Sequence, residues 1–388
     1  MRRIVLAPGR DAPVRRGHPW IFSRAIAEGL SDAEPGEPVR VVAAGGAFVG
    51  VGYVNPRTTI AVRICALEDT ALDVAFIRRR VAAALALRRE LLPSATALRV
   101  VNGEGDGLPG IVVDRYGDVL VCQVLTAGAA RLVPLLTDVL QDLLAPCSIV
   151  ERSEGGVRAE EGLAGERRLL AGVDPDVPLV IDEGDMRFLV DVLHGQKTGF
   201  FLDQRETRAL VCRLSAGRRV LNAFAYTGAL SVAAARGGAV EVVSVDSSAP
   251  ALELARQAWG ANGLPEAQGR FVAADVFEFL RAEREPFDLV ILDPPPFVRR
   301  RRDLAPGLRG YKDVNLQAFR RLAPGGWLVT CSCSQHVARE AFRDVVASAA
   351  ADAGRPAVLV AEAGHPADHP VALAHPEGEY LKILLLRA

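Results

Sequence analysis

The chain has 388 residues, of which 50% are hydrophobic and 24% are charged, so it can bury at least one complete core and is neither disordered nor fibrous. Its 46 Lys and Arg residues are balanced by 47 Asp and Glu residues, which gives a formal net charge of −1. This balance excludes a histone-like polycation that binds nucleic acid through bulk charge, but it leaves room for a local basic face.

The first 67 residues predict a small β-barrel. They are rich in Gly, Pro and Val, and short apolar runs at residues 39–42, 48–54 and 60–64 are separated by turn-forming Pro, Gly and Asn. Nine arginines and five acids give this segment a local charge of +4. The neutral total therefore hides a basic N-terminal module.

Neither export nor membrane insertion is expected. The N-terminal apolar run is too short for a signal peptide, and no charge-free stretch reaches the ~20 apolar residues of a membrane-spanning helix. The six cysteines include no paired C-x-x-C spacing, so they predict neither a disulfide framework nor a metal site. We expect a soluble cytoplasmic protein with no membrane partner and no bound metal.

Residues 68–178 predict a central α+β domain. Its first element is a helix over residues 71–92, which contain no Gly or Pro and are rich in Ala, Leu and Arg. The elements expected next are a hairpin of residues 111–114 and 119–125, a helix over 129–144 and a strand at 148–151.

From residue 179 to the C-terminus, the pattern predicts an α/β domain with a doubly wound parallel sheet. After a hairpin of residues 179–182 and 186–191, continuous apolar runs alternate with helical stretches. The expected strands are 220–223, 242–245, 271–273, 289–292 and 327–331, and the expected helices are 229–236, 249–262, 276–284 and 315–322. Ligands of such sheets bind beyond the carboxyl ends of the strands, so the residues that follow each strand are the candidates for chemistry.

The first three strand ends predict a nucleoside cofactor without a pyrophosphate. The segment from Asn222 to Gly228 contains a single glycine and so lacks the G-x-G-x-x-G pattern that a dinucleotide pyrophosphate needs. Asp246 follows the second strand, where an acid can accept both hydroxyls of a ribose. Asp275 follows the third strand, where an acid can accept the exocyclic amine of an adenine. Each acid alone could be a surface residue or a helix cap, but acids at successive strand ends favour a binding site.

The fourth strand ends in Asp293, followed by three prolines and Phe297. Proline cannot continue a central strand, so the prolines end the ladder and fix a rigid loop that carries Asp293 and Phe297 into the crevice. Four arginines follow, beginning with Arg299 and Arg300. They could form a solvated loop, or they could hold the phosphates of a polynucleotide next to the site.

The fifth strand ends in Thr-Cys-Ser-Cys-Ser at residues 330–334. An isolated cysteine is usually a small buried hydrophobe. Cys333, however, lies at the mouth of the predicted crevice, where a thiol is placed to act as a nucleophile. His336 is close in sequence, but a histidine in a loop is usually solvated.

Four segments resemble one family along essentially the whole chain. They are Gly-His-Pro-Trp-Ile-Phe-Ser at residues 17–23, Gln-Lys-Thr-Gly-Phe-Phe-Leu-Asp-Gln-Arg at 196–205, Arg-Gly-Tyr-Lys-Asp-Val-Asn at 309–315, and Ala-Asp-His-Pro followed by Pro-Glu-Gly-Glu-Tyr-Leu-Lys between 367 and 382. Together with the strand-end residues, they resemble the bacterial S-adenosylmethionine-dependent 23S rRNA large-subunit methyltransferases that form 5-methylcytosine. The resemblance implies an RNA-binding PUA domain at 1–67, a central α+β domain at 68–178 and a class I Rossmann-like methyltransferase domain at 179–388.

The resemblance also implies partners and roles for individual residues. The cofactor would be S-adenosylmethionine, the substrate RNA would be 23S rRNA, and the protein would be a homodimer. Cys333 would add to C6 of the base, because C5 of a pyrimidine is otherwise a poor nucleophile, and Asp293 would stabilise the adduct at N3. The implied cofactor-binding residues are Gln204, Asn222, Phe224, Tyr226, Gly228, Asp246, Asp275 and Asp293, and the implied substrate-binding residues are Lys197, Phe297, Arg299, Arg300 and Lys312.

Two other functions fit the sequence, and one step of the mechanism is open. An Asp-Pro-Pro-aromatic loop also serves methylation of an exocyclic base amine, which needs no thiol. A non-catalytic RNA-binding or ribosome-assembly protein could keep the same fold. Other RNA 5-methylcytosine enzymes carry a second cysteine after the prolines, where this chain has Pro296. Release of the adduct therefore needs another group, for which Cys331 is a candidate; otherwise Cys331 is a packing residue.

Overall fold

The structure is a computed structural model that describes all 388 residues, Met1–Ala388. It divides into two units. The first unit consists of Met1–Leu179, Val190–Leu202 and Ala367–Gly378, and the second consists of Val180–Leu189, Asp203–Pro366 and Glu379–Ala388. No helix in the protein is long and apolar enough to cross a membrane.

A six-stranded sheet opens the first unit. Its elements are β1 (Arg2–Leu6), α1 (Ala12–Arg15), β2 (Trp20–Phe22), β3 (Ile26–Glu28), β4 (Glu37–Val42), β5 (Phe48–Val54) and β6 (Ile60–Ala66). The strand order is β2-β6-β5-β4-β1-β3, and the runs at 39–42, 48–54 and 60–64 are strands as predicted. Gly52 allows β5 and β6 to approach closely, because a Cβ at this position would lie 2.0 Å from the Arg63 carbonyl oxygen.

A second sheet of five strands, in the order β11-β10-β9-β8-β7, packs against two long helices in the same unit. Its elements are α2 (Val74–Leu91), β7 (Ala97–Asn102), β8 (Ile111–Tyr116), β9 (Val119–Val124), α3 (Ala127–Leu144), β10 (Ser148–Ser153), α4 (Gly156–Glu160) and β11 (Glu166–Gly172). The helices begin where polar side chains cap them. Asp73 accepts a hydrogen bond from the Phe76 amide over 2.9 Å, and Thr126 accepts one from the Ala129 amide over 3.3 Å.

The second unit contains the predicted α/β sheet. Its elements are β12 (Leu179–Glu183), β13 (Met186–Val190), α5 (Arg205–Leu214), β14 (Arg219–Ala223), α6 (Ala229–Arg236), β15 (Glu241–Asp246), α7 (Ala249–Ala261), β16 (Gly269–Ala273), α8 (Val276–Ala282), β17 (Phe287–Leu292), α9 (Leu304–Arg321), β18 (Leu322–Ser332), α10 (Arg339–Asp352), β19 (Val358–Ala363) and β20 (Lys382–Arg387). The seven strands of the main sheet run in the order β16-β15-β14-β17-β18-β20-β19. The strand order reverses at β14, which is the switch point where such sheets bind ligands.

The five predicted strands are confirmed as β14 to β18, which pair in parallel. Other features of the second unit differ from the sequence prediction, among them the elements α5 and β19, which were not predicted. Helix α9 begins at Leu304 rather than near residue 315, although its first turns contain Gly307 and Gly310. These glycines pack the helix against the loop after β17, since a Cβ on Gly307 would lie 2.3 Å from a methyl carbon of Val298. Sequence patterning also missed β20, which pairs antiparallel with β18.

Candidate active site

The loop between β14 and α6 has a backbone conformation that most side chains avoid. Phe224 and Tyr226 have φ values of 62° and 49°, in the left-handed region where residues other than glycine are uncommon. Such residues persist only where the surrounding structure holds them. The Ala225 amide donates a hydrogen bond to the Val245 carbonyl over 3.0 Å. The Tyr226 amide donates to Asp246 Oδ2 over 2.8 Å, so the loop is tied to the end of β15.

Both strand-end acids also stabilise the backbone at the carboxyl ends of their strands. Asp246 is half-buried, and its Oδ1 accepts a hydrogen bond from the Ser248 amide over 2.9 Å. Asp275 is exposed and caps α8, because its Oδ1 accepts from the Glu278 amide over 3.0 Å. A carboxylate has about four lone-pair sites, so each acid keeps acceptor capacity for a ligand.

Asn222 and Gln204, both predicted to bind the cofactor, are buried. Asn222 donates from Nδ2 to Ser231 Oγ over 2.8 Å, and its buried Oδ1 accepts no hydrogen bond. Gln204 lies just before α5, where its Oε1 accepts from the Thr207 hydroxyl over 2.5 Å. The sequence placed Asn222 at the end of a strand and Gln204 in one of the segments that carry the family resemblance, but it could not show that both side chains are buried.

The loop after β17 carries Asp293 and Phe297. The Asp293 amide donates to the Ala223 carbonyl over 3.4 Å, which joins the ends of β17 and β14. Asp293 and Phe297 are both half-buried. The ring of Phe297 has its centroid 4.7 Å from that of Tyr311 and 6.5 Å from that of Phe224, so it forms one wall of an aromatic cluster at this edge of the sheet.

Cys333 follows β18 and faces the loop after β17. Its Sγ lies 3.8 Å from the Pro294 carbonyl oxygen, and the side chain is half-buried. Cys331 is different: it is fully buried in the core, and burial raises its pKa well above the usual range. A thiol that resists ionisation is a poor nucleophile. Cys333 therefore has the accessible thiol of this pair.

Ser334 connects three elements around Cys333. Its Oγ accepts from the Val298 amide over 3.1 Å and bonds the Tyr311 hydroxyl over 2.8 Å. Its carbonyl oxygen accepts from Lys382 Nζ over 2.7 Å. The sequence analysis missed these roles. Tyr311 and Lys382 belong to quoted motifs, but only the fold brings α9 and β20 to the end of β18.

The remaining predicted residues occupy other places. Lys197 belongs to the first unit, where its Nζ lies 4.4 Å from the ring centroid of Phe201. Lys312 forms a 2.8 Å ion pair with Asp352, which links α9 to α10. Arg299 and Arg300 are exposed in the loop before α9, and His336 is exposed after Cys333.

Comparisons with known proteins identify the two kinds of domain and the family of the chain. The profile of the S-adenosylmethionine-dependent methyltransferase family matches residues 168–371, and the profile of the PUA-like domain matches residues 4–66. Two curated relatives called ribosomal RNA large subunit methyltransferase I are similar over 99% of both chains. The protein from Aeromonas salmonicida is 42% identical over 391 residues, and the one from Tolumonas auensis is 44% identical over 393 residues.

Solved structures share the fold over the full length. A SAM-dependent methyltransferase from Streptococcus mutans is 22% identical, with a TM-score of 0.87 and coverage of 100% of each chain. A methyltransferase complexed with S-adenosylhomocysteine is also 22% identical, with a TM-score of 0.88 and the same coverage. At this identity, the likeness establishes the α/β fold that follows a PUA-like N-terminal domain.

Proposed function

Since the chain belongs to the ribosomal RNA large subunit methyltransferase I family of S-adenosylmethionine-dependent enzymes, we propose that it forms 5-methylcytosine in 23S rRNA through a Cys333 adduct. The observation that carries this proposal is the position of the Cys333 thiol, 3.8 Å from the Pro294 carbonyl of the Asp-Pro-Pro loop. A thiol at this point distinguishes the site from one that methylates an exocyclic amine, for which Asp293 alone would suffice.

The residues of the second unit fit S-adenosylmethionine. The cofactor contains a ribose and an adenine but no phosphate. The donor set matches it, because Asp246 offers a carboxylate to the ribose hydroxyls and Asp275 keeps acceptor capacity for the adenine amine. The loop of Phe224, Tyr226 and Gly228 has no glycine-rich phosphate cradle. When bound, the cofactor supplies a sulfonium methyl group. Asn222 and Gln204 would support this site from beneath rather than contact the ligand.

The reacting residues act on the pyrimidine in sequence. The Cys333 thiolate adds to C6 while N3 takes up a proton, and the electron pair of the C5–C6 double bond makes C5 nucleophilic. C5 would then accept the methyl group as the bond between that group and the sulfonium sulfur breaks. Asp293 stabilises the adduct by a hydrogen bond at N3. Solvent then removes the C5 proton, the C5–C6 double bond re-forms as the C6–S bond breaks, the thiolate leaves, and N3 releases its proton. The flipped base would stack on Phe297, while Arg299 and Arg300 contact RNA phosphates.

RNA binding is assigned to the N-terminal segment. Five arginines of residues 1–67 are exposed and form no ion pair within the protein, and their guanidinium groups are available to phosphates. They are Arg3, Arg10, Arg16, Arg24 and Arg57. The division into domains at 1–67, 68–178 and 179–388 stays a prediction, and so do RNA contacts by Lys197 and Lys312.

A homodimer is the proposed assembly. Strand β19 lies at the edge of the main sheet, and its Val358 and Val360 side chains are 67% and 50% exposed. An exposed apolar edge strand is a template for pairing with another strand. Sedimentation analysis tests this assembly: we expect a dimer that the Val360→Lys substitution dissociates, whereas a wild-type monomer at micromolar concentration would contradict it.

One methylation assay tests both the identity of the product and the role of the Cys333 thiol. Purified protein is incubated with unmodified 23S rRNA and labelled cofactor, and the nucleosides are identified by mass spectrometry. We expect 5-methylcytidine from the wild type and from Cys331→Ala, and a loss of at least ~10³-fold in rate from Cys333→Ala because nucleophilic addition is removed. An N-methylated nucleoside, or full activity of Cys333→Ala, would overturn the C5 mechanism.

A non-catalytic role would give a different result. Binding of S-adenosylhomocysteine to the purified protein is measured by a thermal shift. A protein that only keeps the fold would show no cofactor-dependent shift and no methylated product with any rRNA fraction.

A further inference from the structure

Lys382 is a buried cation beside the proposed nucleophile. Lys382 is only 2% exposed, and a lysine is rarely buried unless it is paired. It has no ion pair in the structure. Its Nζ donates instead to two neutral backbone acceptors, the Ser334 carbonyl over 2.7 Å and the Tyr380 carbonyl over 2.8 Å. A lysine ammonium has three donors, so two of its three protons are used.

The sheet sets the position of this charge. In the antiparallel pairing of β18 and β20, Lys382 lies opposite Ser332, and Cys333 is the next residue along β18. Lys382, whose ammonium donates to the Ser334 carbonyl, therefore lies on β20 next to the end of β18. Each side of Cys333 in the chain is fixed by β20: Ser332 through the ladder and Ser334 through the Lys382 side chain.

Among the groups around Lys382, a thiolate at Cys333 is the negative charge that can balance the Lys382 ammonium. The pKa of Lys382 is lowered to about 8, chiefly by burial and also by the charge of Arg339, while the charges of Cys333 and Glu379 act in the opposite direction. Glu379 is engaged elsewhere, because its carboxylate pairs with Arg339 of α10. From the α9 side, the Tyr311 hydroxyl contacts Ser334 and is itself hard to ionise, since burial raises its pKa.

Acidic groups near this end of β18 oppose ionisation of a thiol. Asp293 from the loop after β17 and Asp203 from the turn before α5 both raise the pKa of Cys331 through their charge. A thiolate at Cys333, two residues further along, needs a compensating cation.

We propose that Lys382 is a positioning residue for the methyl transfer: its ammonium fixes the Ser334 carbonyl and stabilises the adjacent Cys333 as a thiolate. This inference rests on the proposed function, in which Cys333 is the nucleophile. The Cys333 proton leaves to solvent when the thiolate forms. Lys382 keeps its own protons and makes no bond to the substrate.

The test measures the reactivity of Cys333 without RNA or cofactor. The full-length protein is treated with iodoacetamide from pH 6 to pH 9.5, and alkylation of each cysteine is followed by peptide mass spectrometry. Cys147 is the internal reference, because it is an exposed thiol in the first unit. The variants are Lys382→Met, which keeps the length and removes the charge, and Lys382→Arg, which keeps the charge.

In the wild type we expect Cys333 to react at lower pH than Cys147. Lys382→Met should slow alkylation of Cys333 at pH 7 by about tenfold, because the thiolate is the reactive form, and the rate of Cys147 should not change. Lys382→Arg should recover most of the loss. With RNA and cofactor present, Lys382→Met should lower kcat and leave KM for RNA unchanged, and the deficit should shrink as the pH rises towards 9.

The outcomes separate this inference from the proposed function. A Lys382→Met protein that still binds S-adenosylhomocysteine like the wild type is folded, and an unchanged Cys333 profile in it would overturn the role of Lys382. If Lys382→Met does not fold, the same comparison is made with Lys382→Arg and Lys382→Gln, and equal Cys333 profiles for these two would overturn it. Full methylation by Cys333→Ala would instead overturn the proposed function, whatever the alkylation result.

Discussion

At the scale of single residues, the site combines strained backbone with acids that have two tasks. Asp246 holds the loop through the Tyr226 amide and the Ser248 amide, and in our proposal it also binds the cofactor ribose. The Tyr226 amide belongs to the loop in which Phe224 and Tyr226 have left-handed conformations. Backbone strain of this kind clusters where a protein must place groups for a ligand.

Asp246→Asn tests this double role. The amide has one acceptor oxygen where the carboxylate has two, so we expect the Kd for S-adenosylhomocysteine to rise by roughly 10-fold to 100-fold, the range for a lost hydrogen bond to a charged group. Isothermal titration calorimetry measures the change. Glu253→Gln removes an exposed acid of α7 and serves as the matched control with an unchanged Kd. Equal affinities for Asp246→Asn and the wild type would place the ribose elsewhere.

At the scale of elements, the start of α6 is set by a glycine that meets the next helix. Gly228 is the N-cap of α6 with a φ of 73°, and a Cβ on it would lie 2.7 Å from Ala255 Cβ of α7. The close approach of these two helices therefore depends on the missing side chain. It also fixes where the preceding loop turns towards β15.

Gly228→Ala and Gly217→Ala form a matched pair for this contact. Gly217 has a similar φ of 69°, but a Cβ there would meet nothing within 4 Å. Gly217→Ala should lower the free energy of unfolding by about 1 kcal/mol, the cost of a left-handed side-chain residue. Gly228→Ala should lower it by about 3 kcal/mol, because steric overlap with α7 adds to that cost. Urea unfolding measures the free energy of unfolding of both variants. Equal losses of stability would show that the α6–α7 contact adjusts to the added methyl group without lowering stability.

At the scale of the whole molecule, neutrality conceals an uneven charge distribution. The net charge is −1 for the full chain, while residues 1–67 carry +4. Within that segment, Arg2 and Arg40 are neutralised by Glu37 and Asp69, whereas others remain unpaired and exposed. Only the unpaired arginines can exchange counterions for RNA phosphates without first breaking an ion pair.

Two double variants with equal charge changes test this distinction. Arg10→Gln with Arg57→Gln removes two unpaired arginines, and Arg2→Gln with Arg40→Gln removes two paired ones. We expect the first to weaken binding of an rRNA fragment and to reduce the slope of log K against log salt by ~0.7 for each lost contact. The second should change the slope much less. Filter binding from 50 to 300 mM salt provides the measurement, and equal slopes for both variants would contradict RNA binding by this segment.

Local sequence patterns were sufficient to predict the central strands of the second unit and the residues that follow them. The apolar runs of β14 to β18 are continuous because both faces of a central parallel strand are buried, and this property is visible in the sequence. The strand ends then located Asp246, Asp275, Asp293 and Cys333 at one edge. Patterning failed at α9, where Gly307 and Gly310 resemble a loop signal although they permit close packing against the segment that carries Phe297.

The sequence by itself determined the α/β fold class and named the acids and the thiol that follow the strands as candidates for the site, because strand alternation and chain breaks are local properties. Only the tertiary structure decided which side chains face inward and which distant segments meet. Asn222 is buried against Ser231, and Lys382 reaches Ser334 across 48 residues of sequence. Such contacts depend on how β20 inserts beside β18, and no local pattern encodes that pairing.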